Sequence, residues 1–267
     1  MITEQEFQRV AAYVKNKAGI NLNEKKVLVQ GRLDSYMQRK GYSSYGEFMD
    51  RVEKFPTGPE AEDLMNALTT NHTYFWREYE QFLFLKQEVF PELKRRTEST
   101  RDWHIWCAAS STGEEPYTLA MLCKDFLGLE QEGWDTRILA TDIDTKVLEK
   151  AVKGVYARNS VEQLPHQYVR RFFKQISQEE YRVKDELKRE VLFRQLNLMN
   201  PLPFKKPLHV VFIRNVMIYF DEPTKERLLN NIYEKMAPGG YLFIGSTESM
   251  GQNNTQFQYV RPSIYRK

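Results

Sequence analysis

The chain has 267 residues, 41% of them hydrophobic, enough for one large domain or two unequal ones. Its formal net charge of +3 is too small to argue for nucleic acid by itself; its two cysteines, Cys107 and Cys123, make no disulfide framework and read as reduced, buried, small apolar residues. No apolar run reaches membrane-spanning length and no basic, apolar leader opens the chain, so a soluble cytoplasmic protein is expected.

Residues 1–70 read as a helical domain. Thr3-x-x-Glu6 is a capping box, followed by Phe7, Val10, Ala11, Val14 and Ala18 at helical spacing, with Gly19 as the stop. Asn23 is the expected cap of a second helix ending at Gly41. Ser44-x-x-Glu47 starts a third, and after the break Phe55-Pro56-Thr57-Gly58-Pro59 a fourth runs to Leu68. In the second helix Lys25, Arg32 and Arg39 recur every seven residues and share one face, a candidate dock for an acidic partner helix. Residues 71–98 read as a loop and a joining helix. The loop, Thr69-Thr70-Asn71-His72-Thr73-Tyr74-Phe75-Trp76-Arg77-Glu78, crowds amide, hydroxyl and guanidinium groups among aromatics.

Residues 99–267 alternate between strand and helix patterns. Strands are expected at 104–109, 137–141, 191–196, 209–213 and 241–246, with helices at 115–127, 144–153 and 223–237. The fold class is α/β, a doubly wound Rossmann-like sheet closed by an antiparallel hairpin near 257–265. Residues 155–195 break the alternation and read as a small, partly antiparallel β-subdomain inserted into the sheet.

The first strand-to-helix turn carries the most information. Ile105 to Ala109 is an apolar strand, Ala108 to Gly113 are small, and Glu114-Glu115-Pro116 opens a helix. A phosphate site offers bare amides at such a turn, whereas two glutamates there would repel an anion. Asp142 closes the second strand, where an acid accepts from ribose hydroxyls, and no G-x-G-x-x-G is present. A ribose acid, acidic residues in the turn and no phosphate cradle point to S-adenosylmethionine, a nucleoside with a cationic sulfonium. Arg214-Asn215 ends the fourth strand at the same edge, Tyr219 follows, and Asn197-Leu198 follow the third. Four scattered histidines form no metal-ligand pattern, so no metal is expected.

These segments together resemble the chemotaxis receptor methyltransferases, which methylate glutamates on bacterial chemoreceptors using S-adenosylmethionine. The resemblance spans nearly the whole chain: T-T-N-x-T-x-F-x-R-E, W-x-A-A-x-S-T-G-E-E-P-Y-T, A-T-D-I-D, N-L, R-N-V-x-I-Y-F and G-x-T-E, in that order. Cys107 and Trp76 stand where the family often has Ser and Phe. The resemblance implies that Asn71, Thr73 and Arg77 approach the cofactor from the linker, that Glu114 meets its amino-acid tail and that Asp142 meets its ribose. Asn197 and Leu198 would flank the adenine, Arg214 and Asn215 would complete the pocket, and Arg77 and Tyr219 would lie nearest the transferred methyl. S-adenosylhomocysteine would be the product. It further implies partners among the cytoplasmic helices of chemoreceptors, met by a monomer without nucleic acid or membrane insertion. Lys174 to Glu186 has no glycine, which implies a member that does not grip a receptor's C-terminal pentapeptide tether. Two other readings stay open: a catalytically silent methyltransferase-like binding module, and a methyltransferase acting on small molecules or nucleic acid. For the latter, Asn200-Pro201-Leu202-Pro203 lacks the aromatic residue of base methylation.

Overall fold

The computed structural model describes residues 1–250 and 256–267. Four helices come first: α1 (Glu4–Ala18), α2 (Lys26–Lys40), α3 (Tyr45–Lys54) and α4 (Pro59–Leu68). The α1 capping box forms as expected, with Thr3 and Glu6 each accepting the other's backbone N–H, and Gly19 ends the helix at φ +73°. The start of α2 differs from expectation. Lys25, not Asn23, stands at the N-cap position without a side-chain cap, because the Asn21 carboxamide takes the Asn23 N–H in a local turn and Glu24 follows at φ +63°.

Helices α5 (Tyr79–Phe84) and α6 (Phe90–Arg96) are joined by one π-helical stretch, Leu85–Val89. Pro91 follows it; proline lacks an N–H and crowds the carbonyl four residues back, so the chain widens its turn there. Then come β1 (Ile105–Ala108), α7 (Glu114–Leu127), β2 (Ile138–Asp142) and α8 (Thr145–Lys153). The excursion holds β3 (Val155–Ala157), α9 (Arg158–Val161), α10 (His166–Phe172), β4 (Phe173–Gln175), β5 (Glu180–Val183) and α11 (Asp185–Lys188). The chain returns through β6 (Val191–Gln195), β7 (Leu208–Ile213), α12 (Glu222–Lys235), β8 (Met236–Ile244), β9 (Gln258–Arg261) and β10 (Ile264–Arg266).

Among the described residues the main sheet has seven strands in the order β6-β2-β1-β7-β8-β10-β9, with β3-β5-β4 as a separate antiparallel sheet of three. The inserted subdomain therefore ends before residue 191, not at 195, since β6 pairs parallel with β2 as an edge of the main sheet. Strands β1, β2, β6, β7 and β8 are parallel, and β10 turns antiparallel on β8. Alternation divides the core in two. Trp106, Ala108, Val211, Ile213, Leu242 and Ile244 join one cluster with the N-terminal helices and α12. Ile105, Cys107, Val210, Phe212, Tyr241 and Phe243 join the other with α5, α6 and α7. The helical domain thus packs into one of the two sheet-face clusters, and an isolated bridge between Ile20 and Phe220 stitches the two parts together.

Strand order reverses at β1, which has β2 on one side and β7 on the other, and the carboxyl ends there open a crevice. The turn that forms its floor is tight: Ala109, Ser111 and Gly113 have φ of +52°, +49° and +98°. A Cβ on Gly113 would come within 2.9 Å of both Ala151 Cβ and Tyr156 Oη. Gly113→Ala is therefore expected to destabilise the protein by about 1–3 kcal/mol in urea unfolding; unchanged stability would show that the turn relaxes freely.

Candidate active site

The residues picked out at the strand ends converge on one cavity. Its lining includes Asn71, Thr73, Arg77, Asp142, Asn197, Leu198, Arg214, Asn215 and Tyr219. Glu114 is not part of that lining; Glu115 is. One residue of helical rotation separates them. Glu115 turns toward the sheet, where its Oε2 accepts from Arg214 Nη1 at 2.8 Å and its Oε1 from the Cys107 thiol at 3.1 Å. Glu114 turns back onto Thr112, whose hydroxyl donates to it at 2.6 Å.

The linker 69–78 forms the cavity's second wall, and the sheet holds it from both ends. At one end Asp144, which caps α8 through the amides of Lys146 and Val147, also accepts from Asn71 Nδ2 at 2.8 Å and Thr69 Oγ1 at 2.9 Å. Ser111 Oγ donates to the Asn71 carbonyl at 2.8 Å. At the other end Arg214, with only 1% of its side chain exposed, donates to the Arg77 carbonyl at 2.6 Å and pairs with Glu78 at 3.1 Å as well as with Glu115. Trp76 and Glu78 bend the chain there at φ +60° and +58°. Arg77 is left facing the cavity; its Nη1 donates to the His72 carbonyl at 2.8 Å and its guanidinium lies 5.8 Å from the Tyr74 ring.

Two expected binding side chains also make structural bonds. The Asn197 amide donates to the Lys17 carbonyl at 2.6 Å, tying the cavity rim to α1. Arg32, expected on a free basic face with Lys25 and Arg39, donates to the Leu68 and Thr69 carbonyls, both at 2.9 Å, and to Thr70 Oγ1. It anchors the linker, while Lys25 and Arg39 stay exposed.

Residues 71–265 match the family model described as CheR methyltransferase, SAM binding domain, and residues 5–69 match CheR methyltransferase, all-alpha domain. The chain belongs to the CheR methyltransferase family. It is 37% identical over 270 residues to a chemotaxis protein methyltransferase of Borreliella burgdorferi, covering 100% of this chain and 95% of that one. It is 33% identical over 269 residues to the chemotaxis protein methyltransferase of Escherichia coli K12, covering 99% and 91%. The cofactor of this CheR methyltransferase is S-adenosylmethionine.

The residues present fit that cofactor. Asp142 accepts the backbone N–H of Ser111 at 2.8 Å and of Asp144 at 2.9 Å, and a carboxylate has capacity left for a diol. Ile143, Leu196 and Leu198 give an apolar slot beside it for a base. Charge also fits. Arg214 answers Glu115 and Glu78, whereas Asp142 lines the site and Glu114 lies just behind it on Thr112, each hydrogen-bonded but, among the described residues, with no cation paired to it. Burial pushes the carboxyls of Glu114, Glu115 and Asp142 above their ordinary values. The Thr112 hydroxyl opposes the shift at Glu114, Arg214 at Glu115 and the Ser111 and Asp144 amides at Asp142.

Three further residues shape the site without having stood out in the sequence. Glu248 accepts from the backbone amides of Gly245, Asn215 and Met217 at 2.6, 2.9 and 2.7 Å, which fixes Asn215 at φ +58° and points the Tyr219 turn into the cavity. Glu78 and Asp144 brace the two ends of the linker. All three lie inside motifs legible in the sequence, but their partners are brought in by the fold.

Because folding raises these carboxyl pKa values, the folded chain binds more protons than the unfolded one while they titrate, so their ionisation costs stability as pH rises. A cation that binds only the ionised cavity recovers that cost. The thermal shift given by saturating S-adenosylmethionine should therefore be larger at about pH 7.5 than at about pH 5, falling away above the usual carboxylate range. A shift that stays constant down to about pH 5 would show that the raised carboxyls do not meet the ligand's charge.

Proposed function

We propose that the chain transfers the methyl group of S-adenosylmethionine to glutamate side chains on the cytoplasmic helices of chemoreceptors, giving glutamate methyl esters. The observation that carries this reading is the acid-lined cavity at the sheet's carboxyl edge, closed by a linker that presents Arg77. The cofactor supplies a methyl carbon on a positively charged sulfur, ready for displacement by an oxygen nucleophile.

The acceptor glutamate, with an ordinary pKa of about 4.3, is ionised at neutral pH, so the chain needs no general base. Its task is alignment, which is worth up to about 7–11 kcal/mol when the reacting atoms are held in line. Arg77 stands at the cavity with donors suited to a carboxylate, and Tyr219, on its 3-10 turn, lines the same cavity. Charge is neutralised as the ester forms, so a tight Arg77 pair would favour the ground state over the transition state. The hydrogen bond that holds Arg77 to the His72 carbonyl moderates this, and in this reading Arg77 orients the acceptor. Asp142 takes the ribose hydroxyls, Glu114 supplies negative charge from behind Thr112 and Glu115 does so only through its pair with Arg214. Asn71, Thr73, Leu198 and Asn215 shape the walls.

Lys25 and Arg39 are the charges left on α2 to meet an acidic receptor helix. The turn between β4 and β5 is short and has no glycine, which supports action without a pentapeptide tether. Among the described residues no helix is long and apolar enough to cross a membrane. The reading is of a cytoplasmic monomer that meets receptors and not nucleic acid. The open cavity and the position of Arg77 favour an enzyme over a silent binding module.

Radiolabelled methyl transfer to receptor-containing membranes tests this. Arg77→Ala should lower the rate by about tenfold or more, with little change in pH dependence above about pH 6. Wild-type turnover in that variant would remove Arg77 from the mechanism.

A further inference from the structure

Parallel strands are ordinarily covered on both faces, and the helices of their crossovers supply the cover. Strands β1, β2 and β7 lead on through α7, α8 and α12, but the connection from β6 to β7, residues 196–207, holds no helix. The consequence shows along one row of paired residues: Leu242, Val211, Trp106, Leu139 and Leu192. The first three are fully buried, with Trp106 against Phe204 at 4.7 Å between ring centres. Leu139 is only half-buried although β2 has a strand on either side, and Leu192 is 44% exposed. The opposite face of the same two strands is closed, with Phe193 against Tyr117 of α7.

Leu139, Leu192 and Phe204 thus lie in a groove at the amino end of the strands, and its rim is cationic. Arg137 is held by Asp135 at 2.6 Å and Lys206 by Asp102 at 2.7 Å, while Lys188 Nζ donates to the Lys153 carbonyl at 2.6 Å. Those two aspartates are the acids of the lining, so the groove's own negative charge is already answered. Arg189 and Lys205 are exposed there and make no ion pair among the described residues. Arg194, two residues beyond Leu192 on the same face of β6, is a third exposed cation with no carboxylate partner among the described residues.

We propose that this groove docks an amphipathic helix of a partner protein, apolar where it meets Leu139, Leu192 and Phe204 and acidic along its flanks. The occupant is a helix because the uncovered row is one that a crossover helix covers elsewhere in such sheets, with an apolar stripe laid on apolar strands. It is acidic because Arg189, Arg194 and Lys205 have no internal counter-charge. The partner is distinct from the methyl acceptor. The cofactor cavity opens at the carboxyl end of the strands and the groove lies at the amino end, so both can be occupied together. The inference does not depend on the proposed function.

The test selects helical peptides of roughly 15 residues from a displayed library on the whole protein, with counter-selection on Leu192→Glu. Enriched peptides should carry apolar residues at helical spacing with aspartate or glutamate beside them. Fluorescence anisotropy of an enriched peptide should show binding weakened by about tenfold or more when Arg189→Glu and Lys205→Glu are combined. Amide exchange should show protection by the peptide at residues 189–193 and 204–206. Thermal melts and calorimetry of S-adenosylmethionine binding should match wild type in all these variants, since the altered side chains are exposed and far from the cavity. Peptides that bind Leu192→Glu as tightly as wild type overturn the proposal, as do enriched peptides that are basic or lack an apolar stripe. So does a wild-type dimer in sedimentation that Leu192→Glu makes monomeric, because a second copy of the chain would then cover the face.

Discussion

A single buried guanidinium holds this site together. Arg214 sits at the end of β7, under the aromatic rings of Phe82 and Phe212, and reaches three groups from two other segments: Glu115 on α7, and Glu78 and the Arg77 carbonyl on the linker. A guanidinium that is almost fully buried must have its charge answered, and two carboxylates and a carbonyl answer it here. The planar fork serves all three at once, which an ammonium could not do with the same geometry. Through the bonds of its two terminal nitrogens Arg214 holds the linker on the sheet edge, and the crevice there becomes a walled cavity.

The electrostatics of the cavity follow from that arrangement. With Arg214 paired internally, the negative charge of Asp142 on the cavity wall, and of Glu114 behind Thr112, is left to a ligand, and burial makes that charge expensive to keep in its absence. A cationic nucleoside relieves it; a phosphate would aggravate it. Asp144 and Glu248 do the corresponding work with backbone amides. One caps α8 and steadies the front of the linker, and the other gathers the amides that set the Asn215–Tyr219 turn. Acidic residues therefore carry both the framework of this site and its preference for a positive ligand.

Much of this was legible in the sequence, because strand ends, small-residue turns and helix starts are local. The apolar run at 105–109, the glutamates after Gly113 and the acid at 142 predicted the sheet edge and the kind of ligand. What the sequence hid depends on contacts made across the fold. Arg32 and Asn197 each also donate to a carbonyl on a distant segment, bonds that no local pattern announces. Which of Glu114 and Glu115 faces the cavity turns on a rotation set by Cys107 and Arg214. The hydrogen bonding at Asn21–Asn23 displaced the expected cap of α2, and the proline at 91 widened a helix that the apolar pattern left uninterrupted.

The most direct test of this account is amide hydrogen exchange across residues 69–78 in wild type and in Arg214→Lys, which keeps the charge and removes the fork. The account predicts that the linker amides lose protection in the variant while those of β1 and α7 keep theirs, because only the linker depends on the second and third bonds of the guanidinium. Equal linker protection in the two proteins would contradict it, and would mean that the wall of the cavity stands without Arg214.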